Sequence, residues 1–423
     1  MDCFLLQGGR RLKGEIRVSG AKNAILPIMA ASLLTRGECI IWDAPDIKDV
    51  ATMAQILTSL GAKVWVGVDA RTGLRYVRIL ADSLRSHEVS PKLMGEMRSS
   101  IVLMGALLGR LGKFRVYRPG GCPIGLRPIN FHINGLARLG VRLSVKHGFI
   151  HGEAPRLVGQ EIHLDFPSVT TTENLMMAAA YAEGTTVIRN AAREPEVVDL
   201  GNFLNSLGAR VTGAGLDTIR VTGVRELGGT EHTVIPDRIE AGTYLVAAAV
   251  TGGELTVTNV IPEHLEAVTA KLREAGVPLE VGRGHIRVLP GTRLRPVDFK
   301  TLPYPGFPTD MQPQVMAMMC FAKGTSLITE NIFESRFGHA EALVRMGASV
   351  EIVNKMAVVR GEGSLTGAWV KATDLRAGAG LVVAGLGAEG MTVIEDVAHI
   401  DRGYERMDEK LSSVGADIKR VRM

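Results

Sequence analysis

The 423-residue sequence is poor in the features that mark several protein classes. Its four cysteines are far apart and have no CxxC spacing, which excludes the usual zinc knuckles and a disulfide scaffold. No stretch approaches the ~18–20 uninterrupted apolar residues of a membrane span, and the N-terminal segment lacks the apolar core of a secretory signal. We therefore expect a cytoplasmic protein that has no metal and does not enter the membrane.

Aromatic residues make up 5% of the chain, and the charge is nearly balanced: 49 Lys and Arg against 44 Asp and Glu, a net charge of +5. No basic run with interleaved aromatics occurs, so we expect no nucleic-acid partner. A mildly basic enzyme acting on anionic small molecules fits this composition. The length exceeds what one core supports and predicts two domains.

The most informative pattern is an internal repeat. An amphipathic segment ending in Gly followed by Ala or Val occurs six times, at intervals of 68–79 residues. These glycines are Gly61, Gly140, Gly208, Gly276, Gly347 and Gly415. The spacing predicts six repeats of about 70 residues.

Each repeat reads as strand, helix, glycine turn, strand, helix, glycine, strand. The first helix, for example YLVAAAV or GLVVAGLGA, is apolar all round, which predicts burial on every side. The strands partly alternate, as in sheets with one solvent-facing side. We therefore predict an α/β protein with central helices and outer sheets, three repeats per domain and a boundary near residue 230.

Polar residues recur where the buried helix of each repeat begins. They are Lys22, Arg98, Thr170, Arg238, Asp310 and Asp374. Simple capping is an alternative explanation at Asp237 and Thr170. A cation stands at the wrong end of the helix dipole, so capping fails at Lys22, Arg98 and Arg376, and these residues need an anion. Helix starts on two facing domains would form an anion-binding cleft.

The second repeat is longer than the others and contains RPGGCPIGLRPINFHI, residues 118–133. Its glycines and prolines predict a loop. Cys122 lies between Arg118 and Arg127, and nearby cations favour a thiolate. We interpret Cys122 as reactive, and Cys39 and Cys320 as inert core residues.

Other motifs fail. No phosphate-binding GxxxxGK[ST] is present, and the glycines of RAGAGLVVAG belong to a buried helix. His147 and His151 lie in a strand–turn–strand segment rather than a metal site, and His132 and His339 have structural or second-layer roles by default.

The chain resembles the UDP-N-acetylglucosamine 1-carboxyvinyltransferases, enolpyruvyl transferases of the EPSP synthase-like superfamily. The resemblance runs from end to end. Its motifs are SGAKNAILP (19–27), MRSS (97–100), the cysteine loop (118–133), LDFPSV (164–169), AAREPEVVD (191–199), PDRIEAGTYL (236–245), FPTDMQ (307–312), FESRF (333–337), ATDLRAGA (372–379) and HIDRGYER (399–406). It implies an inside-out α/β barrel with one domain of residues 1–20 plus 236–423 and a second of residues 21–235, which carries the Cys122 loop.

The resemblance also implies the reaction: transfer of the enolpyruvyl group of phosphoenolpyruvate to the 3′-hydroxyl of UDP-N-acetylglucosamine, the first committed step of peptidoglycan synthesis and the step blocked by fosfomycin. No cofactor is implied. The catalytic residues would be Cys122 as general acid, Asp310 as base, and Lys22 and Arg402 on phosphoenolpyruvate. The substrate-binding set would be Lys22, Asn23, Arg98, Arg127, Pro128, Ile129, Asn130, Phe131, Ser168, Val169, Asp310, Ile332, Arg336, Asp374, Arg376 and Arg402.

Two positions depart from the family. Phe166 stands where some members have a lysine that reaches the nucleotide, and Thr170 stands where some have glycine. Two alternatives stay open: an enolpyruvyl transferase with a different acceptor, and a regulatory paralogue without activity. A dead copy would typically lose Cys122, Asp310 or one of the arginines, and all are present.

Overall fold

The computed structural model describes residues 2–291 and 293–422. Its α-helices are α1 Lys22–Ala31, α2 Lys48–Leu60, α3 Pro91–Glu96, α4 Leu103–Leu111, α5 Asn130–Arg138, α6 Val169–Ala179, α7 Pro195–Ser206, α8 Arg238–Thr251, α9 Glu266–Glu274, α10 Gln312–Met319, α11 Ala340–Arg345, α12 Leu375–Gly387 and α13 Met407–Ser413. None of the described helices is long and apolar enough to cross a lipid bilayer.

The strands alternate with these helices along the chain. They are β1 Asp2–Gln7, β2 Lys13–Arg17, β3 Glu38–Trp42, β4 Lys63–Val68, β5 Arg75–Leu80, β6 Lys113–Tyr117, β7 Arg142–Lys146, β8 Phe149–Glu153, β9 Glu161–His163, β10 Thr185–Arg189, β11 Arg210–Thr212, β12 Thr218–Thr222, β13 Thr230–Thr233, β14 Glu254–Thr258, β15 Leu279–Gly282, β16 His285–Val288, β17 Phe299–Lys300, β18 Gly324–Thr329, β19 Ser349–Val353, β20 Met356–Gly361, β21 Trp369–Lys371, β22 Met391–Glu395 and β23 Asp417–Arg422.

The chain divides into two compact units. Unit 1 consists of the described residues within Met1–Ser19, Cys122–Arg127 and Pro236–Met423. Unit 2 consists of Gly20–Gly121 and Pro128–Ile235. Each unit has its own apolar core.

The six repeats predicted from glycine spacing correspond to six sheets, three in each unit. In unit 2 the third repeat is typical: the sheet order is β11-β12-β10-β9, with β9 parallel to β10 and the other neighbours antiparallel. A parallel pair needs a crossover, and α6 provides it between β9 and β10. Helix α7 then connects β10 to the β11–β12 hairpin.

Three sheets are completed by strands from distant parts of the sequence. In unit 1, β1 lies between β22 and β23 and is antiparallel to both, while β2 is parallel to β14. In unit 2, β13 is parallel to β3 and completes the sheet of the first repeat. The N-terminal strands therefore belong to sheets that the C-terminal half of the chain builds.

The first helix of each repeat forms the centre of its unit, as the sequence predicts. Every residue of α10 is buried, and in α12 every residue from Leu375 to Leu386 is buried. The strands keep the alternation of a sheet with one covered face, for example in β3 and β14. Helices with no polar side are therefore inside, and the sheets cover them.

The glycine that ends the second helix of each repeat adopts a left-handed backbone. The φ angles of Gly61, Gly140, Gly208, Gly276, Gly347 and Gly415 lie between 86° and 107°. A side chain is strained in this conformation, whereas glycine is not. The backbone requirement explains why the sequence signal recurs so regularly.

We expect Gly208→Ala to lower the free energy of unfolding by about 1–2 kcal/mol, because φ is +103° there and left-handed backbone costs an L-residue about that much. Described atoms leave room for the new Cβ, so crowding does not contribute. Gly95→Ala is the matched control: it lies in α3, its Cβ also meets nothing within 4 Å and its φ is not left-handed. Thermal denaturation should show a lower midpoint for the first variant only; equal midpoints would contradict the backbone argument.

Candidate active site

Lys22 and Asn23 open the buried helix α1 in unit 2. The residue before the helix, Ala21, has no side chain that could cap it. The Lys22 ammonium lies 2.9 Å (Nζ to Oδ2) from Asp49, in the first turn of α2. Both side chains are at least nine-tenths buried. The sequence indicated that Lys22 needs an anion, and the structure shows that a carboxylate of the protein supplies one.

Arg98 begins a 3-10 turn, Arg98–Val102, that runs directly into α4. Burial lowers the pKa of Arg98, and the charge of Arg118 lowers it further. A guanidinium that is partly desolvated beside a second cation favours an anionic partner. This is the property expected of a substrate-binding arginine.

The predicted nucleotide-sugar residues of unit 2 lie where two helices begin. Pro128, Ile129, Asn130 and Phe131 lead into α5, and Ser168 and Val169 lead into α6. The rings of Phe131 and Phe166 stack, with centroids 6.4 Å apart and planes at 21°. The departure at Phe166 thus belongs to an aromatic pair.

Sequence reasoning missed a buried hydrogen-bond network behind these residues. Asn174 in α6 accepts from the Gly105 amide (2.6 Å) and donates to the Ile101 carbonyl (3.0 Å). Its amide nitrogen also lies 2.9 Å from Nδ1 of His132. Nε2 of His132 lies 3.3 Å from the Thr170 hydroxyl. The sequence signals were a polar Asn in an apolar helix and a histidine in the loop motif.

Glu173, also in α6, is buried, and its Oε1 has no hydrogen-bond partner among the described residues. Burial raises its pKa well above the ordinary value, and the charges of Glu196 and Glu194 raise it further. Both effects favour the protonated form of the side chain.

In unit 1 the sulfur of Cys122 lies 3.5 Å from Nη1 of Arg402. The sequence pointed to Arg118 and Arg127 as neighbouring cations; the described contact to the sulfur comes from Arg402 instead. Arg127 places its guanidinium 5.2 Å from the centre of the Phe333 ring. The Arg402 guanidinium thus lies within contact distance of the sulfur.

Residues after Cys122 are held by the segment that follows β18. The Leu126 amide donates to Oε1 of Glu334 (2.7 Å), and the Ser335 amide donates to the Ile124 carbonyl (3.2 Å). Ile332, at the start of this segment, donates its amide to Oε1 of Glu330 (2.8 Å). Two backbone hydrogen bonds thus fix the part of the cysteine loop that belongs to unit 1, Cys122–Arg127.

Asp310 lies between two guanidinium groups. Its Oδ1 is 2.8 Å from Nη2 of Arg336, and its Oδ2 is 3.0 Å from Nη2 of Arg376. Both arginine side chains are 3% exposed, whereas that of Asp310 is 25% exposed. Asp310 is not a helix cap, because the residue that precedes its turn is Pro308 and no side chain caps there.

A second polar layer lies behind Arg376. Its guanidinium is 5.3 Å from the centre of the buried Tyr404 ring, and burial opposes its charge while Asp310 and Tyr404 raise its pKa. The Tyr404 hydroxyl lies 2.9 Å from that of Thr243 and accepts from Gln314 (3.1 Å). Tyr404 thus packs against the arginine and is itself held by Thr243 and Gln314. Sequence reasoning did not single out these three residues.

Asp374 caps α12 by accepting from the amides of Arg376 (2.9 Å) and Ala377 (3.1 Å). His339 is buried, and its ring nitrogens have no hydrogen-bond partner within the described chain. Burial lowers its pKa to about 4, with Asp374 opposing and Arg336 reinforcing the shift. Because its carboxylate accepts from the Arg376 amide, Asp374 orients the backbone at Arg376.

Each unit thus holds part of the predicted set. Unit 2 holds Lys22, Asn23, Arg98, residues 128–131, Ser168 and Val169; unit 1 holds Cys122, Arg127, Asp310, Ile332, Arg336, Asp374, Arg376 and Arg402. Within the described residues, no cluster of three or more His, Cys, Asp or Glu side chains is arranged to bind a metal ion.

The fold and family of the chain are recognisable from known proteins. Residues 6–411 match the family model of EPSP synthase (3-phosphoshikimate 1-carboxyvinyltransferase). A crystal structure of the enolpyruvyl transferase NikO from Streptomyces tendae superimposes with a TM-score of 0.87, at 27% identity and 99% coverage of both chains. The EPSP synthase of Acinetobacter baumannii shares the fold, with a TM-score of 0.74 at 18% identity.

Closer relatives are similar over their whole length. The UDP-N-acetylglucosamine 1-carboxyvinyltransferase 1 of Symbiobacterium thermophilum is 59% identical over 99% of this chain and 95% of its own. The UDP-N-acetylglucosamine 1-carboxyvinyltransferase 2 of Caldanaerobacter subterraneus subsp. tengcongensis is 52% identical over both full lengths. The chain belongs to the EPSP synthase family of enolpyruvyl transferases and, within it, to the UDP-N-acetylglucosamine 1-carboxyvinyltransferases.

We expect a small electrophilic epoxide to alkylate Cys122 selectively in the folded protein. Cys3, Cys39 and Cys320 are buried, and burial raises the pKa of Cys39 to about 11 and of Cys320 to about 12. Cys122 is partly exposed beside Arg402. Peptide mass mapping at pH 8 should place the label on Cys122, and Cys122→Ala should abolish it. In denaturant all four thiols should react; labelling of Cys39 or Cys320 in the folded protein would contradict the assignment.

We expect Glu173→Gln to stabilise the protein at neutral pH. The unfolded chain releases the Glu173 proton near the ordinary pKa of 4.5, whereas the folded chain retains it to higher pH. Because the folded state binds more protons in this window, raising the pH above 4.5 destabilises the wild type. Each unit by which the folded pKa exceeds the unfolded one costs about 1.4 kcal/mol.

The thermal midpoints of the two proteins should therefore coincide below pH 4.5 and diverge as the pH rises. Glu226→Gln, the same substitution at an exposed position, is the matched control and should show no such divergence. A constant difference between Glu173→Gln and wild type from pH 4 to 8 would show that ionisation of Glu173 is not responsible.

Proposed function

We propose that the protein transfers the enolpyruvyl group of phosphoenolpyruvate to the 3′-hydroxyl of UDP-N-acetylglucosamine and releases phosphate, the first committed step of peptidoglycan synthesis. One observation carries the proposal: unit 1 contains a thiol beside Arg402 and a carboxylate between Arg336 and Arg376. A proton donor, a proton acceptor and cations for an anionic substrate are the groups that this reaction needs. We expect it to take place in the cytoplasm, where phosphoenolpyruvate is formed.

The cations bind phosphoenolpyruvate, which carries about three negative charges and needs several positive partners. Lys22, Arg127 and Arg402 hold its phosphate and carboxylate, supported by Arg98, Arg336 and Arg376. The desolvation of Arg98 makes its interaction with an anion stronger than it would be in water.

In the addition step, Cys122 donates its proton to the methylene carbon of phosphoenolpyruvate. The 3′-oxygen of the sugar forms a bond to the adjacent carbon, and Asp310 accepts the hydroxyl proton. Arg336 and Arg376 fix the carboxylate on both oxygens, which orients it for the transfer. The product of this step is a tetrahedral adduct that still carries the phosphate.

In the elimination step, the methyl carbon of the adduct loses a proton to the Cys122 thiolate, and the bond between carbon and phosphate oxygen breaks. The double bond is restored, and phosphate leaves with the electron pair of the broken bond. Arg402 beside the sulfur stabilises the thiolate between the two steps.

The nucleotide sugar is bound by the starts of α5 and α6 together with Asn23 and Ile332. Residues 127–131, Ser168 and Val169 form its pocket. Phe166 replaces an ionic contact of some relatives, and its ring stacks on Phe131. An aromatic pair supports a planar base by stacking rather than by charge.

The function is tested by phosphate release from phosphoenolpyruvate with and without UDP-N-acetylglucosamine. We expect release only when both substrates are present, and a product whose mass equals the nucleotide sugar plus the enolpyruvyl group. Shikimate 3-phosphate is the control acceptor and should give no release. No phosphate release with either acceptor would identify a non-catalytic paralogue. Release with shikimate 3-phosphate but not with UDP-N-acetylglucosamine would identify shikimate 3-phosphate as the acceptor.

We expect Asp310→Asn to lower kcat by roughly 10²–10⁴, the range for loss of a general base. Asparagine keeps an oxygen for one of the two guanidinium groups, but its NH₂ group faces the second guanidinium, which cannot accept a hydrogen bond. The free energy of unfolding should therefore also fall by about 1–3 kcal/mol. Asp298→Asn is the matched control in unit 1, because Asp298 is exposed and its carboxylate accepts from the backbone amide of Leu327 rather than from a guanidinium. Near-normal turnover of folded Asp310→Asn would move the base to another residue.

A further inference from the structure

The hydrogen bonds around Asn174 have only one consistent direction. The Gly105 amide can only donate, so the atom of Asn174 that lies 2.6 Å from it is the carbonyl oxygen. The Ile101 carbonyl can only accept, so the atom 3.0 Å from it is the amide nitrogen. The same nitrogen faces Nδ1 of His132 at 2.9 Å.

This direction fixes the tautomer of His132. Because the Asn174 nitrogen donates, Nδ1 of His132 must accept and carries no proton. The ring proton is therefore on Nε2, which donates to the Thr170 hydroxyl at 3.3 Å. His132 is 3% exposed, and burial, reinforced by Arg98, lowers its pKa to about 3. The ring thus stays neutral, and the direction of the network does not change at physiological pH.

Thr170 is the last member of this chain of hydrogen bonds. Its oxygen accepts from His132, so its own proton points elsewhere, and the described residues provide no acceptor for it. The residue is half-buried and directly follows Ser168 and Val169, which the proposed function assigns to the nucleotide-sugar pocket. A rigid network therefore presents one oriented hydroxyl donor at that pocket.

We propose that the Thr170 hydroxyl donates a hydrogen bond to a diphosphate oxygen of the nucleotide sugar and so determines part of its affinity. The inference rests on the proposed function. The diphosphate is the charged acceptor of that substrate, and a neutral donor gains more from a charged acceptor than from a sugar hydroxyl or a base carbonyl. His132 and Asn174 are positioning residues that act through Thr170.

Binding of UDP and of uridine to the intact protein tests this assignment, because the two ligands differ only in the diphosphate. By calorimetry we expect Thr170→Val, which has the same shape without the hydroxyl, to bind UDP about tenfold more weakly and uridine as well as wild type does. Thr170→Ser keeps the hydroxyl and should match wild type for both ligands. Unchanged UDP affinity in Thr170→Val, or equal weakening of UDP and uridine, would overturn the proposal.

A second measurement does not depend on a variant. In wild type with ¹⁵N-labelled histidine, His132 should show a protonated Nε2 and an unprotonated Nδ1. Addition of UDP should shift the Nε2 resonance, and addition of uridine should not. The opposite tautomer, or no shift with UDP, would contradict the proposal.

These measurements need neither phosphoenolpyruvate nor turnover. An enzyme that binds UDP as described but makes no product would refute the proposed function and leave the Thr170 contact standing. An enzyme that turns over normally in both wild type and Thr170→Val, with unchanged KM for UDP-N-acetylglucosamine, would refute the Thr170 contact alone.

Discussion

The helices at the centre of each unit are buried on nearly every side, and this constraint decides where chemistry can occur. A polar group inside such a core needs a buried partner, as Asn174 has, whereas at a helix end the backbone itself has unpaired N–H groups. Lys22, Thr170 and Arg376 all stand within the first two residues of a buried helix. The repeat therefore produces a set of equivalent places for functional side chains, and each repeat fills its place differently.

Charges placed at these ends carry a desolvation cost, and the protein offsets it with carboxylates of its own. Asp49 compensates Lys22, and Asp310 compensates both Arg336 and Arg376. Removing one partner of such a buried pair leaves the other charge uncompensated, which is more costly than the pair itself. An anionic substrate that binds these cations competes with a carboxylate already in place, so affinity depends on the difference between two ionic contacts.

The sequence was sufficient for the features that depend on local pattern. The burial of the first helix of each repeat and the left-handed glycines follow from spacing and residue type, and the structure confirms both for the described residues. The partners of the proposed catalytic groups could not be predicted in this way. Arg402 is 280 residues from Cys122, and Arg376 is 66 residues from Asp310; no periodicity encodes those distances. The side-chain amide of Asn174 bonds to the backbone of Gly105 and Ile101, at the start of α4. Only the three-dimensional arrangement reveals this contact.

The pairing of β1 has a consequence for how the protein is made. This strand is synthesised before unit 2, yet its neighbours β22 and β23 follow unit 2 in the chain. At about 5–20 residues per second, the ribosome needs roughly 20–80 s to complete the chain between them. Unit 2, in contrast, lies within residues 20–235, interrupted by Cys122–Arg127, and can fold while translation proceeds. The apolar side chains of β1, Phe4 and Leu6, are therefore unprotected for most of the synthesis time. In the nascent protein these side chains need protection until β22 and β23 have been made.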